Sequence, residues 1–132
     1  MYYFFNRRKL LYIYEAKTWH DAQDHCAELN AILAEANSTS EMQLLQFYRN
    51  VFDRNLWVGA SDAHEEGAWE WVSDGTVVAQ EMWARGEPNN ADVGEHCAEL
   101  ANNGLNDMPC SYELPFLCQF SAGENQHFCL VV

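Results

Sequence analysis

A group of carboxylate and amide side chains between residues 87 and 107 has a spacing that fits one site for a hard cation. Ca²⁺ prefers oxygen ligands of this kind and takes about six to eight of them. Asn and Asp are also frequent in turns, so Asn106 and Asp107 alone would mean little. The combination predicts a calcium site whose ligands are Glu87, Asn89, Glu95, Asn106 and Asp107.

Pro88 and two cysteines support this grouping. Proline is the residue that most readily adopts a cis peptide bond, and a cis bond at Pro88 would turn the side chains of Glu87 and Asn89 toward one point. Cys97 and Cys110 each follow a predicted ligand by two or three residues. A disulfide between these cysteines would fasten the two ligand-bearing loops together.

Length and composition predict one globular domain. The 132 residues, of which 48% are hydrophobic, are enough for a sizeable core. We expect a single domain over residues 1–132, with a short C-terminal tail from about residue 121. No apolar run approaches the roughly 20 residues that span a membrane. The N-terminal residues lack the pattern of a signal peptide, so a secreted protein would be present here as a mature chain or an excised domain.

The charge is strongly acidic and unevenly placed. The net charge is −13, and only three basic residues accompany nineteen acidic ones after Lys17. Such a surface repels nucleic acid and anionic membrane, because phosphate binding needs a basic footprint. It attracts cations. Solubility explains most of these acids but not their spacing around Pro88.

The cysteines indicate an oxidising compartment. They form no C-x-x-C pair and lack zinc-finger spacing, so two disulfides and one odd thiol are expected. Four paired cysteines allow about three connectivities, and the count alone does not choose among them. The five cysteines are Cys26, Cys97, Cys110, Cys118 and Cys129.

Periodicity and turn residues predict two helices among short strands. Thr18 and Ser38 are N-cap candidates, each with an acidic residue three positions later, and the second helix is expected to reach about Arg49. Residues 82–115 show little periodicity and are predicted to be a long functional loop region. The predicted strands cover residues 2–5, 10–14, 56–60, 69–72 and 114–120.

Ordered landmarks identify a family resemblance. They are Leu56-Trp57-Val58-Gly59, Trp69-Glu70-Trp71, Trp83, Gly86-Glu87-Pro88-Asn89, Glu95-His96-Cys97, Asn106-Asp107, Cys110 and Phe116-Leu117-Cys118. Together they resemble the C-type lectin-like domain, a calcium-dependent carbohydrate-recognition module, over about residues 2–120. The resemblance implies an α+β fold in which two helices pack on small antiparallel sheets, with a long irregular calcium-binding loop region. It also makes the tryptophans at 57, 69, 71 and 83 core residues.

The resemblance also implies specific pairings and ligands. The family pattern pairs Cys26 with Cys118 and Cys97 with Cys110, in the short form that lacks an extra N-terminal disulfide. It assigns the five predicted ligands to a primary Ca²⁺ site that binds the sugar as well. The carboxylates would accept hydrogen bonds from sugar hydroxyls and the Asn amides would donate to them. A Glu-Pro-Asn sequence is associated with mannose-type sugars, whose vicinal 3- and 4-hydroxyls are equatorial.

A second, auxiliary calcium site is implied by further matches. Asp62, Glu66 and Asn90 occupy positions of that site, and His96 stands where many family members have an aspartate. Because His96 is next to Glu95, its ring could also touch the ion or the bound sugar.

Several partner and modification readings stay open from the sequence. We expect glycan partners on cell or microbial surfaces. Cys129 is a candidate for a disulfide-linked homodimer, although a free thiol in the tail accounts for it equally well. Asn37-Ser38-Thr39 is an N-glycosylation sequon that also coincides with a helix cap. No motif places a Ser or Cys nucleophile near a His, so an enzyme is not expected.

An alternative function keeps the fold and changes the ligand. The acidic face after Lys17 and the shortened Leu105-Asn106-Asp107 segment are compatible with a domain that binds a protein or a mineral surface such as calcium carbonate.

Overall fold

Both helices begin at the N-cap residues that the sequence predicts. In the computed structural model, which describes residues 2–5, 8–89 and 94–120, Thr18 Oγ1 accepts a hydrogen bond from the Asp21 backbone N–H at 3.3 Å. Ser38 Oγ accepts one from the Glu41 N–H at 3.1 Å. Each bond satisfies a donor that has no partner inside the helix. The helices are α1 (Trp19–Glu28) and α2 (Thr39–Phe52).

The described strands form one connected sheet. They are β1 (Tyr2–Phe5), β2 (Arg8–Lys17), β3 (Ile32–Leu33), β4 (Leu56–Ser61), β5 (Glu70–Trp71), β6 (Glu95–Ala101), β7 (Gly104–Pro109) and β8 (Leu114–Phe120). The order is β1-β2-β8-β4-β6-β7, while β3 pairs with β8 and β5 with β4. The α+β class is confirmed. The small antiparallel units are joined by a parallel pairing of β4 with β8, at Trp57 and Phe116.

Strand β4 contributes to two separate parts of the core. Leu56, Val58 and Ala60 pack in the cluster that includes α2, whereas Trp57 packs in the cluster that includes α1. This division follows from the alternation of side chains along a strand. The indole N–H of Trp57 donates to the Lys17 carbonyl at 2.8 Å, so its burial leaves no polar group unsatisfied. The predicted core positions are confirmed, because Trp57, Trp69, Trp71 and Trp83 are all buried.

The prediction of one irregular region over residues 82–115 was wrong in its middle part. Strands β6 and β7 form an antiparallel hairpin there. Strand β6 also pairs with β4 on its other edge, and five of its seven residues are buried. Because consecutive residues of β6 are buried, both of its faces are covered and its residues need not alternate between apolar and polar. This explains why the sequence showed no periodicity there. Within residues 82–115, the main irregular segments that the structure describes are 83–89 and 110–113.

Both disulfides that the resemblance implies are present. Cys26 is buried on the inner stripe of α1 and is bonded to Cys118 of β8. Cys97 of β6 is bonded to Cys110, just after β7. Cys129 and the tail from residue 121 lie outside the described residues, so the predicted dimer contact stays a prediction.

The turn of the β6–β7 hairpin packs tightly against the chain that leads into residues 87–89. Gly104 has a φ of +134°, and a Cβ built on it would lie 2.7 Å from the backbone nitrogen of Ala84 and 3.0 Å from the carbonyl oxygen of Met82. The Ala84 N–H donates to the Leu105 carbonyl at 2.9 Å. Segment 83–89 is therefore fixed to β7 through backbone contacts.

Gly104→Ala is expected to destabilise the domain more than a matched glycine substitution. The added methyl group would collide with backbone atoms that no side-chain rotation can move, in addition to the cost of a positive φ. Gly75→Ala is the control, because its φ is +75° but the nearest atom to its Cβ is 4.0 Å away. Urea unfolding should give a loss for Gly104→Ala that exceeds the control by about 1–3 kcal/mol. Equal losses would contradict the proposed backbone packing.

Candidate functional site

Three of the predicted ligands are brought together by direct contacts. The Glu87–Pro88 peptide bond is cis, as predicted. The side-chain amide of Asn89 donates to Glu87 Oε2 at 3.3 Å, and the backbone N–H of Asn89 donates to Asp107 Oδ1 at 3.2 Å. Asp107 is buried on β7, so the residues at 87 and 89 of the irregular segment meet a fixed carboxylate.

The carboxylates at this site perturb one another. The pKa of Glu87 is raised to about 6, first by burial and then by the hydrogen bond with Asp107 and the charge of Asp107. The charge of Glu95 acts in the same direction, while the backbone N–H of Asn89 lowers the pKa. Glu95 itself is buried at the start of β6. Three acidic side chains therefore share a small, partly desolvated volume.

The donor set fits a hard divalent cation. Among the described residues, Oε1 of Glu87 is a buried side-chain oxygen that accepts no hydrogen bond. Buried carboxylate oxygens are normally paired, because an unpaired one loses its hydration without compensation. An ion held by Glu87, Asn89, Glu95 and Asp107 would satisfy this oxygen and neutralise the crowded charges.

Asn106 is placed differently from its neighbour Asp107. The two residues are consecutive in β7, so their side chains project to opposite faces of the hairpin. The amide of Asn106 donates to Glu99 Oε2 at 2.8 Å, and Glu99 Oε1 accepts from Asn55 at 3.1 Å. No described contact joins Asn106 to the group around Asn89. Its role as a calcium and sugar ligand stays a prediction.

A second cluster combines two carboxylates with an imidazole. His96 Nδ1 lies 2.8 Å from Asp62 Oδ1 and 3.6 Å from Glu66 Oε1. Asp62 is almost completely buried, and its other oxygen accepts from the Gly67 N–H at 2.9 Å. The hydrogen bond with Asp62 is the main reason that the pKa of Glu66 is raised, followed by burial and the charge of Asp62. Asn90, the remaining predicted auxiliary ligand, lies outside the described residues.

The family resemblance implied one auxiliary site with Asp62 and Glu66, and with His96 in place of an aspartate, and these three side chains do lie together. Strand pairing produces this arrangement, because Ser61 at the end of β4 is opposite Cys97 in β6. The Asp62 N–H donates to the His96 carbonyl at 3.3 Å, which holds the two residues side by side. The spacing of these residues in the sequence does not indicate the contact, because it depends on the pairing of two strands that are distant in sequence.

Comparison with known proteins agrees with this fold. The family model described as the lectin C-type domain matches residues 15–120. The CD209 antigen of Nomascus concolor is 40% identical over 110 residues, covering 80% of this chain and 26% of that protein. Human CD209 antigen is 38% identical over 109 residues, with coverages of 80% and 26%. The match therefore spans about a quarter of the length of these curated relatives.

Solved structures give the same result. The carbohydrate-recognition domain of cow CD23, determined in the presence of GlcNAc2Man3 oligosaccharide, superposes with a TM-score of 0.81 at 29% identity, covering 90% of this chain and 92% of that chain. The carbohydrate-recognition domain of the mouse scavenger receptor C-type lectin gives a TM-score of 0.84 at 27% identity, with coverages of 95% and 97%.

The chain belongs to the C-type lectin domain family. Members of this family bind carbohydrate and are not enzymes, which agrees with the absence of a catalytic motif in the sequence. They generally act outside the cell or at its surface, and they generally bind Ca²⁺. No helix in the described part of the chain is long and apolar enough to cross a membrane.

Glu87→Gln is expected to change how the stability of the calcium-free protein depends on pH. A carboxyl whose folded pKa of about 6 exceeds its ordinary 4.5 stabilises the fold below pH 4.5, and this contribution is lost as the pH rises through 6. The variant cannot ionise, so at pH 7 it should exceed the wild type in stability by on the order of 1 kcal/mol.

Urea unfolding in EGTA at pH 4.5 and pH 7 measures this difference. Glu81→Gln is the matched control, because Glu81 is exposed and lies outside the cluster. If the stabilities of Glu87→Gln and Glu81→Gln depend on pH in the same way, the raised pKa of Glu87 does not contribute to the pH dependence of the wild type.

Proposed function

We propose that this chain is a calcium-dependent lectin domain that binds mannose-type glycans. The observation that carries the proposal is the buried oxygen of Glu87, which accepts no hydrogen bond from the described residues and lies in a cluster of carboxylates. Such a cluster is costly unless a cation occupies it. The proposed ligands of Ca²⁺ and of the sugar are Glu87, Asn89, Glu95 and Asp107, and Asn106 would join them by turning its amide away from Glu99.

The protein residues at this site would select the sugar by hydrogen bonding. A bound Ca²⁺ would offer coordination positions to two neighbouring sugar hydroxyls. The carboxylates of Glu87 and Glu95 can only accept hydrogen bonds, whereas the amide of Asn89 can donate one. A hydroxyl placed between such groups is fixed in direction. Equatorial 3- and 4-hydroxyls present the two oxygens side by side, and an axial hydroxyl would leave one protein group unpaired.

The relatives support this choice of ligand class. A related domain at 29% identity was crystallised in the presence of an oligosaccharide that contains mannose. The sequence Glu87-Pro88-Asn89 is the version that the family resemblance associates with mannose-type sugars. Two disulfides are consistent with a secreted or cell-surface protein, where glycans on cells or microbes are the available partners.

Retention on mannose-coated resin tests the proposal. The wild-type domain is expected to bind in millimolar Ca²⁺ and to elute with EGTA. Glu87→Gln should not be retained, because it removes a carboxylate from the ion site, while Glu113→Gln at an exposed position should behave as wild type. Equal retention with and without EGTA would refute calcium-dependent binding. Preferential elution by galactose would refute only the sugar assignment. A glycan array without signal, together with adsorption to calcium carbonate, would favour the mineral-surface alternative.

Asn89→Asp separates sugar recognition from the scaffold. The substitution preserves size and keeps an oxygen for the metal, but it replaces an amide donor with a second acceptor facing Glu87. An unpaired hydroxyl or carboxylate costs on the order of 1–3 kcal/mol, so mannose affinity should fall by roughly ten- to a hundredfold. Calorimetry should show a much smaller change in Ca²⁺ affinity. Asn103→Asp, an exposed site with the same charge change, is the control. Unchanged mannose affinity in Asn89→Asp would show that the Asn89 amide does not donate a hydrogen bond to a sugar hydroxyl.

A further inference from the structure

We infer that Asp62, Glu66 and His96 form a site for a transition-metal dication of the Zn²⁺ class, separate from the proposed calcium site. The ligating atoms of these three side chains all lie within 4.8 Å of one another. The inference goes beyond the proposed lectin function and does not depend on it, because it concerns metal binding in the absence of sugar.

The chemistry of the ligands distinguishes this cluster from a calcium site. Ca²⁺ is a hard ion that is coordinated by oxygen, and it needs about six to eight ligands. An imidazole nitrogen suits Zn²⁺, Ni²⁺, Co²⁺ and Cu²⁺ much better. With one nitrogen from His96 and oxygens from Asp62 and Glu66, the cluster supplies three ligands of the type that Zn²⁺ uses, and a solvent molecule can complete a tetrahedron.

The distances agree with a small ion. Tetrahedral ligands that lie about 2.1 Å from Zn²⁺ are about 3.4 Å from one another. The two measured distances from His96 Nδ1, 2.8 Å to Asp62 and 3.6 Å to Glu66, lie on either side of this value. Changes of less than 1 Å would bring these two distances to the required value, and the exposed side chain of Glu66 can adjust its position.

The cluster is also held in place by the fold. Asp62 Oδ2 accepts the Gly67 N–H at 2.9 Å, which fixes the carboxylate and directs its other oxygen toward His96. The Glu65 N–H donates to the Asp62 carbonyl at 3.1 Å, and this hydrogen bond closes the turn that precedes Glu66. Hydrogen bonds that orient a ligand in this way raise metal affinity.

One side of the cluster is open to the solvent. The His96 side chain is 39% exposed and that of Glu66 is 57% exposed, whereas the Asp62 side chain is fully buried. An ion can therefore enter from the surface and displace the hydrogen bond between His96 and Asp62.

Titration of the untagged, full-length chain with Co²⁺ and Zn²⁺ at pH 7.4 in 1 mM Ca²⁺ tests the inference. We expect one ion per chain, visible as a Co²⁺ absorption band that Zn²⁺ abolishes. His96→Gln should weaken Zn²⁺ binding by about a hundredfold, while its Ca²⁺ affinity changes much less. His20→Gln, the same change at an exposed histidine of α1, should bind as wild type. Cys129→Ser should also bind as wild type, which excludes the fifth cysteine as the ligand.

Two more variants keep the test decisive. Glu66→Gln alters an exposed ligand and should fold normally while losing at least about tenfold in Zn²⁺ affinity. His96→Asp replaces nitrogen with oxygen and should reverse the preference, weakening Zn²⁺ and strengthening Ca²⁺ at this position. The absence of Zn²⁺ binding, or Zn²⁺ binding that is unchanged in His96→Gln, would overturn the inference.

Discussion

The register of the β6–β7 hairpin is the constraint on which both metal-ligand clusters depend. Strand β6 carries Glu95 and His96, and β7 carries Asp107; the two strands pair in one register from Cys97 with Met108 to Ala101 with Gly104, with an irregularity at His96. Because side chains alternate along a strand, a slip of one residue would exchange the faces of Asn106 and Asp107. The Cys97–Cys110 disulfide and the backbone contact at Gly104 fix the two ends of the hairpin, so the register is held where the chemistry needs it.

Charge crowding is concentrated in a small part of an otherwise satisfied structure. The buried Glu35, for comparison, accepts hydrogen bonds from the backbone and the hydroxyl of Ser73, so its carboxylate is fully engaged in holding a turn. Glu87 lies instead among other carboxylates and has a buried oxygen that accepts no hydrogen bond from the described residues. The chain thus uses buried acids in two ways, as paired structural anchors and as a group that a cation completes.

Local features could be predicted from neighbouring residues, whereas long-range features such as the Cys26–Cys118 disulfide were implied only by the family resemblance. The N-caps at Thr18 and Ser38 and the cis bond before Pro88 depend on nearby residues and are confirmed. The hairpin in residues 95–109 was missed, because a strand whose two faces are both buried does not alternate between apolar and polar residues. The meeting of Asp62 with His96 depends on the pairing of β4 with β6, and the opposite directions of Asn106 and Asp107 depend on register. Such relations are set by tertiary pairing, which neighbouring residues do not encode.

Because Gly104 is tightly packed, two turns that are equally exposed differ in how well they would tolerate an inserted label. The turn at 102–103 and the turn at 74–75 are both exposed and polar, and either would be chosen for a label or an inserted tag from exposure alone. At the first turn, the glycine backbone lies against Met82 and Ala84, so an insertion there would pull segment 83–89 away from β7. At the second, a Cβ on Gly75 would meet only the end of the Glu70 side chain, 4.0 Å away. A fluorophore for following ligand binding therefore belongs at residues 74–75, whereas the backbone of the hairpin tip must stay uninterrupted because it holds the start of segment 83–89 against β7.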